Sequence, residues 1–471
     1  MKNYTNLTEV QQNIKDGNIN LPNIVESYLQ KIKSSKLNAF LEIFEEDVLS
    51  QAKLVQDKIM NNTAGKLAGM VLGIKDNMSY NGHKVSASSK ILEGFESIYN
   101  ATAIQRLLDE DVIIIGRLNC DEFAMGSSNE NSAFGAVAHP LDADYVPGGS
   151  SGGSAVAVAA DLCMASLGSD TGGSIRQPAS LCNVIGLKPT YGRISRYGLL
   201  AYASSFDQIG TFTKNTEDAA RLLEVMSGAD DYDSTVSFKG VDDYRPKKSD
   251  VKYTISYIKE AVEHEGNDPE IVAAMKSRLE KLENAGHTVK AVSFPYLKYM
   301  VPAYYVLTTA EASSNLARYD GIRFGYRSGQ SQDIESTYVK SRSEGFGKEV
   351  QRRIMLGAFV LSSGYYDAYY AKAQKVRRLI KTETSKILQK SDFILLPTTP
   401  TTAFKKDGIK DPIKMYLQDI FTVHANLAGM PAISLPLDQH SNGFGFGTQL
   451  IANQFDEKKL LNFSEELMNN F

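Results

Sequence analysis

The stretch Thr102-Ala103-Ile104-Gln105-Arg106-Leu107-Leu108, followed three residues later by Val112-Ile113-Ile114-Ile115-Gly116, decides the fold. The first segment reads as a helix, and the second, a β-branched run, is the strongest strand signal in the chain. Upstream, Met70-Val71-Leu72-Gly73-Ile74-Lys75 is a short apolar run ending in a lysine, the pattern of a buried strand. Before it, residues 21–60 read as two helices, with Ile24, Tyr28, Leu29 and Ile32 on one face and Val48, Ala52, Val55 and Ile59 on another. Helices alternating with β-branched runs predict an α/β fold whose central sheet is mixed or largely parallel and flanked by helices.

Downstream, residues 145–210 are dense in glycine but interrupted by apolar runs at 155–160 and at Met164-Ala165-Ser166-Leu167. A more charged stretch from 235 to 290 begins what reads as a peripheral, more helical insertion over 235–345. Within it Ile271, Met275, Leu279 and Leu282 mark an amphipathic helix that stops near Gly286. Residues 301–320 and 348–390 read as long helical segments, and Phe393-Ile394-Leu395-Leu396-Pro397 as a buried strand leaving into a Thr/Pro loop. With no internal repeat and no linker of disordered composition, the expectation is one large domain over 1–471, opening with a helical segment over 1–65.

Composition narrows the class. Lys and Arg number 51 against 55 Asp and Glu, a net charge of −4, so no domain is basic enough to hold nucleic acid chiefly by neutralising phosphates, although a local patch is not excluded. No run of about 18 apolar residues occurs, so no transmembrane helix is expected. The start, Met1-Lys2-Asn3-Tyr4-Thr5-Asn6, leads into polar sequence rather than the apolar core of a signal peptide. Three cysteines, Cys120, Cys163 and Cys182, cannot all pair, and none has zinc-ligand spacing. The expectation is a reduced, cytoplasmic protein without a metal site.

The chemistry concentrates in two glycine-serine clusters, Pro147-Gly148-Gly149-Ser150-Ser151-Gly152-Gly153-Ser154 and Gly168-Ser169-Asp170-Thr171-Gly172-Gly173-Ser174-Ile175-Arg176. Neither is a phosphate-binding GxxxxGK[ST] loop, and neither fits the GxSxG elbow. Flexible turns are the bland alternative. Small consecutive residues also let backbone N–H groups converge on an oxyanion, and Thr171-Gly172-Gly173 would set such donors beside the hydroxyl of Ser174, as acyl transfer requires. A serine nucleophile needs a base. None of the six histidines (His83, His139, His264, His287, His424 and His440) sits in a catalytic motif. Lys75 remains, at the end of its apolar strand, where the ordinary alternative is a lysine snorkelling to solvent.

Three motifs in order, Gly73-Ile74-Lys75-Asp76-Asn77, Gly148-Gly149-Ser150-Ser151-Gly152-Gly153-Ser154 and Asp170-Thr171-Gly172-Gly173-Ser174-Ile175-Arg176-Gln177-Pro178, resemble the amidase signature family. The resemblance implies one large amidase-signature domain and a Ser–cis-Ser–Lys triad: Lys75 as base, Ser150 as bridging serine after a cis peptide at Gly149–Ser150, and Ser174 as the acylated nucleophile. Ser150 and Ser174 lie 24 residues apart, which fits the family pattern and selects Ser150 over Ser151. The oxyanion would sit on the N–H groups of Thr171, Gly172 and Gly173. To act near neutral pH, a lysine whose free pKa is about 10.4 must lose about 4 kcal/mol of its preference for the ammonium form, and burial acts in that direction.

Further stretches, among them Asn119-Cys120-Asp121-Glu122-Phe123-Ala124-Met125-Gly126, Gly192-Arg193-Ile194-Ser195-Arg196-Tyr197-Gly198 and Glu311-Ala312-Ser313-Ser314-Asn315-Leu316, are similar to the glutaminase subunits of tRNA-dependent amidotransferases. Cys120 departs from the Met of many members, a difference of packing rather than chemistry. The resemblance implies hydrolysis of glutamine to glutamate and ammonia, with the ammonia passed to a B subunit. That partner, using ATP and Mg2+, converts Glu-tRNA(Gln) to Gln-tRNA(Gln), and a small C subunit completes a heterotrimer. This chain itself would need no cofactor and would meet tRNA only indirectly. For glutamine the resemblance points to Arg352 or Arg353 for the α-carboxylate, with Arg353 favoured, to Asp419 for the α-ammonium, to Tyr305 for packing and hydrogen bonding, and to Gly149 and Ser151. A planar guanidinium suits the carboxylate. The rival readings are a stand-alone amidase acting on small amides and an inactive scaffold protein.

Overall fold

The β-branched run does enter the sheet, and it lies near one edge. The computed structural model describes residues 6–248 and 250–470, so the polar start over 1–5 lies outside the described residues. Among those described, one sheet has eleven strands: β1 (Phe40–Ile43), β2 (Val71–Lys75), β3 (Ile113–Leu118), β4 (Ala165–Asp170), β5 (Ile185–Lys188), β6 (Gln208–Thr213), β7 (Thr254–Ile258), β8 (Thr288–Val292), β9 (Phe393–Pro397), β10 (Ala432–Gln439) and β11 (Gly445–Ala452). Their spatial order is β1-β3-β2-β4-β6-β5-β10-β11-β9-β7-β8. β2 runs parallel to both β3 and β4, and β7 parallel to both β8 and β9, whereas the central pairs are antiparallel. The sheet is mixed, as expected.

Alternation along β9 shows that both faces are covered. Phe393 and Leu395 belong to one apolar cluster, with the helices Leu7–Lys15, Leu21–Ser34 and Glu45–Met60, whereas Ile394 and Leu396 belong to a second under Leu297–Asn315 and Lys372–Leu388. Successive strand side chains point to opposite faces, so each cluster is the core of one face.

Two local expectations need correction. Residues 21–60 are not helix throughout, because β1 lies between the two helices and pairs antiparallel with β3. Its four residues are all half-buried and show no alternation, so the sheet edge alone specifies the strand. Residues 348–390 are two helical runs, Lys348–Leu361 and a π-helical turn Asp367–Ala371 leading straight into Lys372–Leu388, broken at Gly364, whose φ of +86° favours glycine. The stretch at 235–345 supplies three long helices and also β7 and β8, the outermost strands at that end, so main-chain hydrogen bonds join it to the sheet. No helix among the described residues is long and apolar enough to cross a membrane.

The parallel pairing of β2 with β4 brings Lys75 and Ser169-Asp170 to the same end of the sheet. The carboxyl ends of parallel strands are where α/β sheets place their binding crevices.

Candidate active site

Lys75, the last residue of β2, is 0% exposed. Its Nζ lies 2.7 Å from Ser150 Oγ, 2.9 Å from Ser151 Oγ and 2.9 Å from Ser169 Oγ. The snorkelling alternative is thereby excluded. Burial lowers the Lys75 pKa from the ordinary lysine value, while Cys120, Asp121, Asp170 and Asp207 pull it back upward. Asp121 and Asp207 are themselves pushed up to about 6, chiefly by burial.

Ser150 follows a cis Gly149–Ser150 peptide. Its carbonyl accepts from Asp121 N–H at 3.0 Å, and the Gly149 N–H donates to Gln177 Oε1 at 2.9 Å. The two clusters are joined where Ser151 N–H donates to the Ser174 carbonyl at 3.3 Å. Ser174 is 8% exposed, against 0% for Lys75 and Ser150, so it is the member of the three that faces outward. Among the described residues its hydroxyl makes no hydrogen bond. The Lys75–Ser150 contact is thus formed, and Ser174 lies on the next loop with its side chain free.

The loop before Ser174 is held from below by Asp170, which accepts from Gly173 N–H at 2.8 Å and Ile175 N–H at 3.2 Å. This corrects the expected oxyanion donors: the Gly173 N–H already has a carboxylate acceptor. The N–H groups of Thr171, Gly172 and Ser174 have no protein acceptor among the described residues, so they are the donors open to a ligand. Glycine is required here for lack of space. A Cβ at Gly172 would fall 2.5 Å from the Tyr304 ring, and one at Gly173, where φ is +134°, would fall 2.1 Å from Thr422 Oγ1.

Arg353 and Asp419 lie in an aromatic enclosure beside this loop. Arg353 is buried; it donates to Tyr202 Oη and Glu349 Oε1, each at 2.8 Å, with its guanidinium 5.1 Å from the Tyr305 ring and 5.7 Å from that of Tyr416. Arg352 pairs with the same Glu349 from outside, its side chain 50% exposed. Burial therefore separates the two adjacent arginines, and only Arg353 faces inward. Tyr305 stacks on Tyr416 with centroids 3.9 Å apart and packs edge-on against Tyr304, which touches the Gly172 loop. The packing expected of Tyr305 is present; its hydroxyl makes no hydrogen bond among the described residues. Asp419 accepts from Ser127 Oγ at 2.6 Å and is pushed up to about 7, chiefly by burial, with Ser127 and Arg353 opposing. Thr422 links the two regions by donating to the Gly172 carbonyl at 2.7 Å.

Gly149 and Ser151, expected to meet substrate, are occupied by the protein. The Gly149 N–H is taken by Gln177, and the Ser151 hydroxyl bridges Lys75 and the Ser169 carbonyl. Several residues had no assignment from sequence. Ser169 and the Asp170–Arg176 pair stand in the quoted motif, where a charged pair in a glycine-rich run was the available signal. Ser127, Tyr202, Glu349 and Thr422 reach the site only through tertiary packing. Among the described residues, no group of His, Cys, Asp and Glu could hold a metal ion.

The amidase family profile matches residues 23–461, and the chain belongs to the amidase family. A relative from Chlorobium phaeobacteroides, named as the A subunit of glutamyl-tRNA(Gln) amidotransferase, is 50% identical over 464 residues, 97% of each chain. One of the same name from Chlorobaculum parvum is 51% identical over 449 residues, 94% of this chain and 93% of its own. A crystal structure of the corresponding A subunit from Thermotoga maritima superposes with a TM-score of 0.79 at 40% identity, covering 96% of this chain and 92% of the other. A peptide amidase from Stenotrophomonas maltophilia superposes at 0.81 with 25% identity, covering 99% and 96%. Two activities therefore share this fold, and the pocket residues must separate them.

Proposed function

We propose that this chain is the glutaminase subunit of a glutamyl-tRNA(Gln) amidotransferase. The observation that carries the reading is the burial of both Arg353 and Asp419, each with its own partner, near Tyr305 and beside the loop that presents Ser174. A guanidinium and a carboxylate held apart complement the α-carboxylate and α-ammonium of a free amino acid, which a simple amide lacks. Neutral Lys75 takes the Ser150 proton as Ser150 takes that of Ser174, and Ser174 Oγ attacks the carboxamide carbon of glutamine. The oxyanion is received by the N–H groups of Thr171, Gly172 and Ser174. Returning the proton through Ser150 expels ammonia, and water then releases glutamate from Ser174. The ammonia would serve a tRNA-handling B subunit that uses ATP and Mg2+, with a small C subunit completing the assembly in the cytoplasm.

The deciding experiment compares ammonia release from glutamine, acetamide and benzamide by the chain with and without its partner subunits. Mass analysis for a glutamyl adduct on Ser174 accompanies it. Preference for glutamine with that adduct supports the reading. Equal turnover of all three would favour a stand-alone amidase, and no turnover of any would favour a scaffold.

Two expected results test the pocket. Arg353→Lys removes the fork while keeping the charge, so KM for glutamine should rise about 10- to 100-fold, the cost of losing one charged hydrogen bond, with kcat less affected; an unchanged KM rejects the assignment. Asp419, pushed up to about 7, is neutral below that pH and cannot pair with an ammonium. KM should therefore rise as pH falls through about 7, and steady-state kinetics on Asp419→Asn should show a high KM without that dependence.

A further inference from the structure

Asn77 closes the motif that carries Lys75, yet the reaction as written gives it no part. Its side chain is buried, 2% exposed, and its backbone is pinned by N–H donation to the Lys75 carbonyl at 2.7 Å and by Leu200 N–H at 2.8 Å. The side-chain NH2 donates to Ser169 Oγ at 3.0 Å, and Oδ1 has no partner.

The valence of a neutral lysine gives this contact a role. An uncharged amine has two N–H bonds and one lone pair, and Lys75 has three hydroxyl neighbours, Ser150, Ser151 and Ser169. Catalysis needs the lone pair aimed at Ser150. The Ser151 proton is directed to the Ser169 carbonyl at 3.2 Å, so Ser151 can only accept from the amine. Ser169 is the competitor, because an unengaged Ser169 proton can bond to the lone pair and leave Ser150 with no base. Among the described residues, the group other than Lys75 that hydrogen-bonds Ser169 Oγ is the Asn77 amide. With its NH2 toward Ser169, the amide favours this unproductive arrangement. Turned by 180° about its terminal torsion, it presents an oxygen, accepts the Ser169 proton and makes Ser169 an acceptor as well.

We infer that Asn77 is a positioning residue that takes the Ser169 proton and thereby leaves the Lys75 lone pair to Ser150 alone. The inference rests on the acyl-enzyme reading above. The titratable groups felt at Lys75 are Cys120, Asp121, Asp170 and Asp207, and Asn77 adds no charge to them.

The test is steady-state hydrolysis of glutamine by the chain with its partner subunits, followed across about pH 6 to 10. Asn77→Leu should lower kcat about 10- to 100-fold at every pH, with KM changed by less than about threefold. Asn77→Asp still offers an oxygen to Ser169 but adds a negative charge. Its alkaline plateau should recover to within about threefold of wild type, while its acidic limb moves to higher pH. On a Ser169→Ala background, where no competing proton remains, Asn77→Leu should have no further effect. Should Asn77→Leu fail to fold, Asn77→Ala takes its place in each comparison. A kcat for the Leu variant within about threefold of wild type, equal losses in the Leu and Asp variants at all pH, or an undiminished loss on the Ser169→Ala background would each overturn the inference. If the wild-type assembly spares glutamine but hydrolyses a simple amide, the glutaminase reading fails, and the Asn77 comparison is made on that amide.

Discussion

Lys75→Met should reduce amide hydrolysis by at least about 10^4-fold while leaving the fold intact, the largest activity loss expected short of removing Ser174 itself. The substitution replaces an amine by an apolar side chain of similar length in a chamber with no exposure to solvent. The serines Ser150, Ser151 and Ser169 lose one shared partner, but Ser151 keeps the Ser169 carbonyl and Ser169 keeps Asn77. The fold should therefore be retained, whereas the route for the Ser174 proton disappears. Ser174→Ala should lose as much activity and, in addition, should never yield the glutamyl adduct.

The pH dependence follows from the same burial. Because Lys75 is held below the ordinary lysine value, the folded chain keeps it neutral over a range in which the unfolded chain binds a proton. Activity should fall on acidification through the depressed pKa, and a rate that begins to rise only above about pH 10 would contradict the base assignment. Stability should rise with pH between the depressed value and about 10.4, since the unfolded state binds more protons there. Lys75→Met should remove that slope. Urea midpoints for the two proteins, measured across this range, check the sign independently of turnover.

The distribution of what could be read in advance has a physical basis. β2, β3 and β9 are fully buried, and each is encoded as a short apolar run rich in β-branched or large aliphatic residues. The Lys75–Ser150 contact was legible through the resemblance of short motifs to the amidase family. β1 was not, since four half-buried residues gain their strand conformation from the edge of β3. The same holds for the Gly173 N–H. Its residue type was right for an oxyanion donor, but three residues upstream a carboxylate folds back and accepts it. That Arg353 rather than Arg352 faces inward depends on packing against Tyr202, Tyr305 and Tyr416, which adjacent positions in one helix do not reveal. Ser169 and Asn77 lie 92 residues apart, and their contact exists only because β2 and β4 are neighbours in parallel register.

Arg176→Met should cost about 3–5 kcal/mol of stability, the range for removing one partner of a buried ion pair and a substantial part of the margin by which a domain is folded. Both side chains are 0% exposed, with Arg176 Nη2 2.9 Å from Asp170 Oδ1 and Nε 3.1 Å from Oδ2. The remaining guanidinium protons reach the Thr422 carbonyl at 2.8 Å, Asn426 Oδ1 at 2.7 Å and Gln449 Oε1. Every donor is satisfied, so the substitution strands a charge rather than loosening a contact. Burial alone would raise the Asp170 pKa, but Arg176 overcomes it and holds the carboxylate below the usual range. That contribution is present above the unfolded value of about 3.9 and lost as pH falls through the depressed one. The damage should reach the nucleophile, because Asp170 also fixes the Gly173 and Ile175 N–H groups on either side of Ser174. Asp170→Leu combined with Arg176→Met removes both charges, so its urea midpoint should lie above that of Arg176→Met alone. Activity should nonetheless stay low in the double variant, since nothing then anchors Gly173. A double variant no more stable than the single one would mean that the loop hydrogen bonds, and not the stranded charge, dominate the loss.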